Sequence, residues 1–342
     1  MSRAMRAINV EPPRRPYLAE ADVPTLRPGE VLLEVHATAL NRADLSQAAG
    51  DYPPPAGESH ILGLEAAGVV VELGPGVEEA GLARIGERAC ALLIGGGYAE
   101  YVAVPAAMLM PLPAGWTFGE AAALPEAALT AYLNLFQEAR LGVEERVLIH
   151  GGASGVGSVA IKLAKLAGCT VYATAGGEAK VAACESFGAD LAIDRHGPPF
   201  EGIIKEHGGG AGIDVVLDMV GEAYFAGNLD VLAVGGRIVF IAALSGRRVT
   251  LDIRRLMAKR GHLIGSTLRG RPLAEKVRIR NGFLERFADS LADGTLKPVI
   301  DSVYQLAAAH EAHEYMRENR NIGKVVLAVR AGAMEPLGPQ AP

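Results

Sequence analysis

Apolar and polar positions follow two different rhythms along this chain. Val31, Leu33, Val35, Ala37 and Ala39 alternate with Leu32, Glu34 and His36, the two-residue period of a strand, and the apolar run 68–74 leads into a Pro-Gly turn. Up to about residue 127 short runs of this kind are separated by Pro and Gly, which predicts an all-β, barrel-like domain. From 146 onward the rhythm becomes strand, helix, strand. Six short apolar runs, 147–149, 171–174, 191–193, 215–217, 238–242 and 263–266, are separated by amphipathic segments, the pattern of a doubly wound parallel sheet. Behind the first run, Val156, Val159, Ala160, Leu163, Ala164 and Ala167 share one helix face, Lys162 and Lys165 lie on the other, and Gly168 is the stop signal. Further helices are predicted over 274–292 and 307–317, with strands over 299–304 and 324–329. This tail is expected to return to the first domain, giving domains 1–127 with 270–342, and 128–269.

Composition agrees with a two-domain globular protein: 342 residues, 50% hydrophobic and 21% charged. The 42 glycines and 20 prolines are spread without a period, and no internal repeat is visible. A formal net charge of −6 counts against nucleic acid or anionic membranes as partners, since both call for a basic stripe. The local clusters Arg254-Arg255 with Lys259-Arg260, and Arg269, Arg271, Lys276, Arg278 and Arg280, read as solvated faces. Cys90, Cys169 and Cys184 are far apart and lack the spacing of a disulfide framework or a cysteine zinc site. With no apolar leader region behind Arg3 and Arg6, and no membrane-length apolar stretch, the expected location is the cytoplasm.

The segment His150-Gly151-Gly152-Ala153-Ser154-Gly155-Val156-Gly157 admits two chemistries. A nucleophile elbow centred on Ser154 requires glycine at 156, where the chain has Val156, and no Asp and His partners suggest a triad. A phosphate loop instead places Gly152, Ser154 and Gly157 on the three positions of G-x-G-x-x-G, between a buried strand and an amphipathic helix. Free N–H groups and the positive end of the helix dipole there favour a pyrophosphate, with Ser154 as a donor to phosphate or ribose. The second strand ends Ala173-Thr174-Ala175-Gly176-Gly177, without the carboxylate that accepts from the ribose hydroxyls of NAD. Lys180 and Arg195 supply cations near the same place, so NADPH is the expected cofactor. The alternative is that both cations merely solvate a helix start and a loop.

The chain resembles the medium-chain dehydrogenase/reductase superfamily, and within it the zinc-free quinone oxidoreductases, most of all the p53-inducible branch to which zeta-crystallin is related. The resemblance rests on Ala39-Leu40-Asn41-Arg42-Ala43-Asp44, Gly50-Asp51-Tyr52-Pro53, Gly63-Leu64-Glu65-Ala66-Ala67-Gly68, Ala153-Ser154-Gly155-Val156-Gly157 and Asn321-Ile322-Gly323-Lys324. It implies an α/β fold with a Rossmann sheet and a GroES-like catalytic domain. Zinc-containing relatives carry a cysteine where this chain has Asn41 and a histidine where it has Leu64, so two of three catalytic zinc ligands are absent and no metal is expected. By the same resemblance Asn41, Asp44 and Tyr52 line the pocket beside the nicotinamide, Asn41 and Tyr52 donating to a quinone oxygen. The alternative is that all three are ordinary turn and capping residues. Cofactor contacts are implied at Asn41, Thr130, Gly152, Ala153, Ser154, Gly155, Val156, Gly176, Lys180, Arg195, Val220 and Asn321, and at the backbone of Phe240-Ile241-Ala242.

Three functions remain open on the sequence: an NADPH-dependent quinone reductase, a reductase of enones or enoyl thioesters, and an NADPH-binding structural or RNA-binding protein without catalysis. The second needs a proton donor for the α-carbon and, for a CoA substrate, a basic surface, for which Arg269 and Arg271 are the local candidates. Assembly as a homodimer or homotetramer through edge strands of the dinucleotide domain is also implied by the resemblance.

Overall fold

The computed structural model describes residues 3–11 and 15–338. Two compact units divide the chain, Met1–Glu126 with Arg269–Pro342, and Ala127–Leu268. In the first, β1 (Ala4–Glu11) and β2 (Arg15–Asp22) form an antiparallel pair. β3 (Glu30–Ala39) leads into α1 (Arg42–Ala48), followed by β4 (Glu65–Leu73), β5 (Arg88–Leu92), β6 (Tyr101–Pro105) and β7 (Leu109–Pro111). The alternation in β3 is broken at Leu32, which is buried as well, because Met5, Ala7, Ala99 and Tyr101 cover it. β3 and β4 approach so closely that a Cβ at Gly68 would lie 1.9 Å from the Glu34 carbonyl oxygen, beside a register shift between Val35 and Ala37. Only glycine fits there.

α2 (Phe118–Ala122) and α3 (Pro125–Tyr132) lead to the second unit, whose strands are β8 (Arg146–His150), β9 (Thr170–Ala175), β10 (Leu191–Asp194), β11 (Ile213–Asp218), β12 (Leu232–Phe240) and β13 (His262–Gly265). All pair in parallel, in the order β10-β9-β8-β11-β12-β13, so the order reverses between β8 and β11. The carboxyl ends of strands at such a reversal form the usual ligand crevice. The connecting helices are α4 (Gly155–Leu166), α5 (Glu178–Ser186), α6 (Phe200–His207), α7 (Glu222–Val231) and α8 (Ile253–Lys259). On α4 Val159, Ala160, Leu163 and Ala164 are buried as their spacing predicts, and Ile161 joins them. Leu148, Tyr172, Val216 and Ile238 from the strands pack with Phe200, Ile204, Phe225 and Leu229 from α6 and α7. The strand expected to reach residue 242 stops at Phe240, its last rung to β11 being the Ile241 N–H bond to the Asp218 carbonyl at 2.9 Å.

The tail consists of α9 (Leu273–Ala292), β14 (Ile300–Gln305), α10 (Ala309–Arg317) and β15 (Lys324–Ala328). β15 pairs antiparallel with β3, completing a sheet ordered β14-β15-β3-β4-β5-β7, with β6 also on β3. Among the described residues no helix is long and apolar enough to cross a membrane.

Candidate functional site

In the second unit the turn after β8 is built by close backbone approach. A Cβ at Gly157 would stand 2.3 Å from the Gly151 carbonyl oxygen, and one at Gly152 would meet Cys184 Sγ at 2.8 Å and the Ala173 Cβ at 2.9 Å. Ser154 is the N-cap of α4, its Oγ accepting the Gly157 N–H at 3.0 Å, while the Gly152 N–H donates to the Thr174 carbonyl at 2.9 Å. That leaves the amides of Ala153, Gly155 and Val156 with no protein acceptor among the described residues. Unclaimed N–H groups at and just before the start of a 12-residue helix are of the kind that suits an anion. Ser154 uses its lone pair as a cap, and its hydrogen faces Met219 Sδ at 3.8 Å.

At the end of β9 the cations and glycines come together. Exposed Arg195 lies over Gly176, where a Cβ would meet its Nε at 2.8 Å and its Cζ at 3.1 Å. Asp194 Oδ1 accepts the N–H groups of Gly177 at 2.9 Å and His196 at 3.0 Å, so the nearby carboxylate is turned onto backbone. Those bonds hold its pKa below the ordinary carboxylate value. Half-buried Lys180 stands in the first turn of α5.

The expected contacts at Val220, Phe240 and Ile241 are largely spoken for within the unit. Val220 donates its N–H to Asp218 Oδ1 at 2.6 Å and its carbonyl accepts from Ser245 N–H at 2.8 Å. The Phe240 carbonyl accepts the Ser266 N–H at 3.0 Å, and the Ile241 N–H is held by Asp218. Thr130 lies half-buried in α3, its carbonyl accepting from Asn134 Nδ2 at 2.7 Å.

In the first unit Asn41 and Asp44 have partners within the protein. They form a capping box on α1, Asp44 Oδ2 accepting the Asn41 N–H at 2.7 Å. Asp44 also accepts the Gly63 N–H at 3.1 Å and the Tyr98 hydroxyl at 3.2 Å, with no exposed surface. Burial raises its pKa to about 6 against those bonds and the Lys324 charge. Asn41 Nδ2 donates to Glu65 Oε1 at 2.9 Å and its Oδ1 accepts from Lys324 Nζ at 2.7 Å, so both ends of its amide are taken. Asp44 is fully buried in its cap, whereas Asn41 is half-buried beside the Glu65–Lys324 ion pair. Asn321 likewise donates to the Gly323 carbonyl at 2.8 Å and shapes its own turn.

Tyr52 differs. It is half-buried under the Arg269 guanidinium, 5.2 Å from the ring centroid, and its hydroxyl has no hydrogen-bond partner among the described residues. Arg269 is not the exposed cation expected for a CoA surface. It is 5% exposed, donating to the Ile94 carbonyl at 2.7 Å, the Tyr52 carbonyl at 3.3 Å and Gln47 Oε1 at 2.8 Å. Arg271 pairs with Glu275 one helical turn on.

The sequence did not single out the residues at the centre of this cluster. Lys324 Nζ donates to Glu65 Oε1 at 2.6 Å and the Leu40 carbonyl at 2.7 Å, and both side chains are almost completely buried. Glu65 Oε2 accepts the Glu126 N–H at 2.9 Å, bringing a second acid beside it. Burial first, then the Glu65 charge, push the Glu126 carboxyl up to about 8. Only a pairing across distant strands reveals this group, although Glu65 and Lys324 both fall within motifs visible in the chain. Among the described residues no group of three His, Cys, Asp or Glu side chains is arranged to hold a metal.

Residues 27–114 match the alcohol dehydrogenase GroES-like domain and residues 155–281 match the zinc-binding dehydrogenase family. A solved NAD-dependent alcohol dehydrogenase superposes with a TM-score of 0.83 at 33% identity, covering 95% of this chain and 100% of that one. The chain belongs to the medium-chain dehydrogenase/reductase superfamily. The α/β fold with a Rossmann sheet and a GroES-like domain, as the sequence implies, is that of this superfamily. Among its members, Escherichia coli quinone oxidoreductase complexed with NADPH superposes with a TM-score of 0.84 at 26% identity, covering 95% of this chain and 100% of that one. Pikromycin polyketide synthase component PikAII of Streptomyces venezuelae is 35% identical over 318 residues, 92% of this chain but 8% of that protein. The chain thus spans a small part of the polyketide synthases it matches.

Proposed function

We propose that this protein is an NADPH-dependent, zinc-independent quinone reductase. The observation that carries the reading is the end of β9, where Arg195 covers Gly176 and Asp194 is turned onto backbone, beside the three unclaimed amides of the glycine loop. That arrangement suits a pyrophosphate and a 2′-phosphate better than a free ribose diol. NADPH, when bound, supplies the hydride. The chain's part is to orient the cofactor and to stabilise charge on the acceptor. With Asn41 committed elsewhere, Tyr52 is the remaining donor toward the acceptor oxygen. A single preorganised donor is worth roughly 3 kcal/mol to a developing oxyanion, less than an unactivated ketone requires. Quinones meet the shortfall because their reduced oxygens are stabilised by delocalisation. The likeness of E. coli quinone oxidoreductase over its whole length supports this acceptor.

The 35% identity to a polyketide synthase component favours a second reading, reduction of a conjugated enone or enoyl thioester. Burial of Arg269 removes one of the two cations expected for a CoA substrate, which weighs against that form of it. Assembly as a homodimer or homotetramer in the cytoplasm completes the proposal. The assembly is supported by exposed apolar residues on α8, which packs on β12 next to the edge strand β13: Ile253 at 64% and Met257 at 68% exposure.

The test is steady-state oxidation of NADPH and of NADH with an ortho-quinone, an enone and an enoyl thioester. The ortho-quinone is expected to give the highest kcat/KM, with NADPH preferred over NADH. A cofactor ratio at or below one would remove the 2′-phosphate argument. Turnover on none of the three with tight NADPH binding retained would favour a binding protein.

A further inference from the structure

Beneath the carboxyl edge of the parallel sheet runs a chain of buried polar side chains with no place in the proposed chemistry. His150 ends β8, Thr174 lies near the end of β9, Asp218 ends β11 and Asn228 lies on α7. His150, Asp218 and Asn228 have no exposed surface and Thr174 is 2% exposed. His150 Nδ1 lies 2.9 Å from Thr174 Oγ1, His150 Nε2 lies 2.7 Å from Asn228 Oδ1, and Asn228 Nδ2 donates to Asp218 Oδ2 at 2.9 Å. Asp218 Oδ1 accepts the N–H groups of Val220 at 2.6 Å and Gly221 at 3.0 Å.

The direction of every hydrogen bond follows from the carboxylate end. A carboxylate only accepts, so the Asn228 amide turns its NH2 toward Asp218 and its carbonyl toward His150. Nε2 of His150 must then carry the hydrogen, and in the neutral ring Nδ1 accepts from the Thr174 hydroxyl. Burial lowers the His150 pKa against the pull of Asp218, which favours that neutral form. Phe200 and Tyr224 close around the ring with centroids 5.0 Å and 4.6 Å away.

Each end of the chain is tied to a turn that faces the ligand edge. Gly151 directly follows His150, and the Gly152 N–H is held by the Thr174 carbonyl. Val220 and Gly221 are held by the Asp218 side chain, and Ile241 after β12 by the Asp218 carbonyl. The Asp218 side chain thus fixes the backbone leaving β11, while the main chains of Thr174 and Asp218, two residues whose side chains the network holds, anchor the backbone leaving β8 and β12. An apolar core of the same volume would be at least as stable, since buried polar groups gain little net energy and are costly when one member is lost. What a satisfied polar network adds is a unique geometry.

We propose that Thr174, His150, Asn228 and Asp218 form a positioning network that sets the glycine loop and the Val220–Gly221 turn in the conformation that receives the cofactor. The proposal rests on the NADPH reading above and assigns these residues no contact with the cofactor.

The experiment measures NADPH Kd by titration, thermal melting, and KM against kcat for the full chain and for His150→Leu, His150→Gln and Thr174→Val. His150→Leu is expected to weaken NADPH binding about tenfold, the scale of one or two lost hydrogen bonds. His150→Gln, whose amide can still donate to Asn228, is expected to recover most of that loss, and in all variants KM for NADPH should move more than kcat. Thr174→Val, nearly the same shape, should weaken binding by about fivefold. If His150→Leu does not fold, Thr174→Val decides. Unchanged Kd in the folded variants, whatever their melting temperatures, overturns the network's role, and so does a Gln variant no better than Leu. A wild-type protein that fails to bind NADPH overturns the cofactor reading and the network's role with it.

Discussion

His313 on α10 has no exposed surface, and among the described residues neither of its ring nitrogens has a hydrogen-bond partner. The Tyr98 ring meets it edge-on at 5.9 Å. Burial pushes its pKa down to about 4, with the Arg317 and His310 charges acting in the same sense. The unfolded chain takes up this proton near its ordinary value of about 6.5, whereas the folded protein resists it until about 4. Stability from this site is therefore complete above about 6.5 and lost as the pH falls through that window. His313→Leu removes the liability, so the melting temperature gained over wild type should be larger at pH 5 than at pH 8. Equal gains at both pH values would mean that His313 does not titrate in this way.

At the scale of an element, α4 couples stability to binding through its cap. Ser154 Oγ satisfies the Gly157 amide, and the amides of Ala153, Gly155 and Val156 are left for a ligand. Ser154→Ala should cost about 1 kcal/mol of unfolding free energy, read by denaturant titration, the usual worth of a serine N-cap. It should also weaken NADPH binding only a fewfold. A loss of a hundredfold would show that Ser154 contacts the cofactor more strongly than its capping geometry suggests. α8 is an element of the opposite kind: Leu256 packs partly buried against the core of the sheet, while Ile253 and Met257 are exposed. An amphipathic helix of that composition would ordinarily turn an apolar face to a core.

At the scale of the molecule, α8 packs on β12, the strand next to the edge strand β13. Leu244, at 61% exposure, lies in the segment between β12 and α8, and β13 offers unpaired backbone along its outer edge. Large exposed apolar residues beside an open edge are what a second copy would cover. Met257→Asp is expected to shift the mass measured by light scattering toward the monomer. A wild-type protein already monomeric, or an unchanged oligomer in the variant, would place the interface elsewhere.

The periodicity of 156–167 determined α4, and the six apolar runs determined a parallel sheet, because hydrophobic spacing is a local property of the chain. The failure of the elbow motif at Val156 and the missing acid after Thr174 were equally legible, since each depends on residue identity within a few positions. The roles of Asn41 and Asp44 were not. Whether their side chains face a pocket or a partner depends on Glu65, Lys324 and Tyr98, brought to them from strands and loops far along the chain. Arg269 looked like a solvated cation and is buried for the same reason. His150 stood in plain sight beside the glycine loop, yet its hydrogen bonds reach Thr174 and Asn228, 24 and 78 residues away. Local pattern fixes elements and the kind of loop between them. The partners of buried polar groups are decided only when β8, β9, β11 and α7 close around them, because burying such a group is costly wherever it finds no partner, as His313 shows.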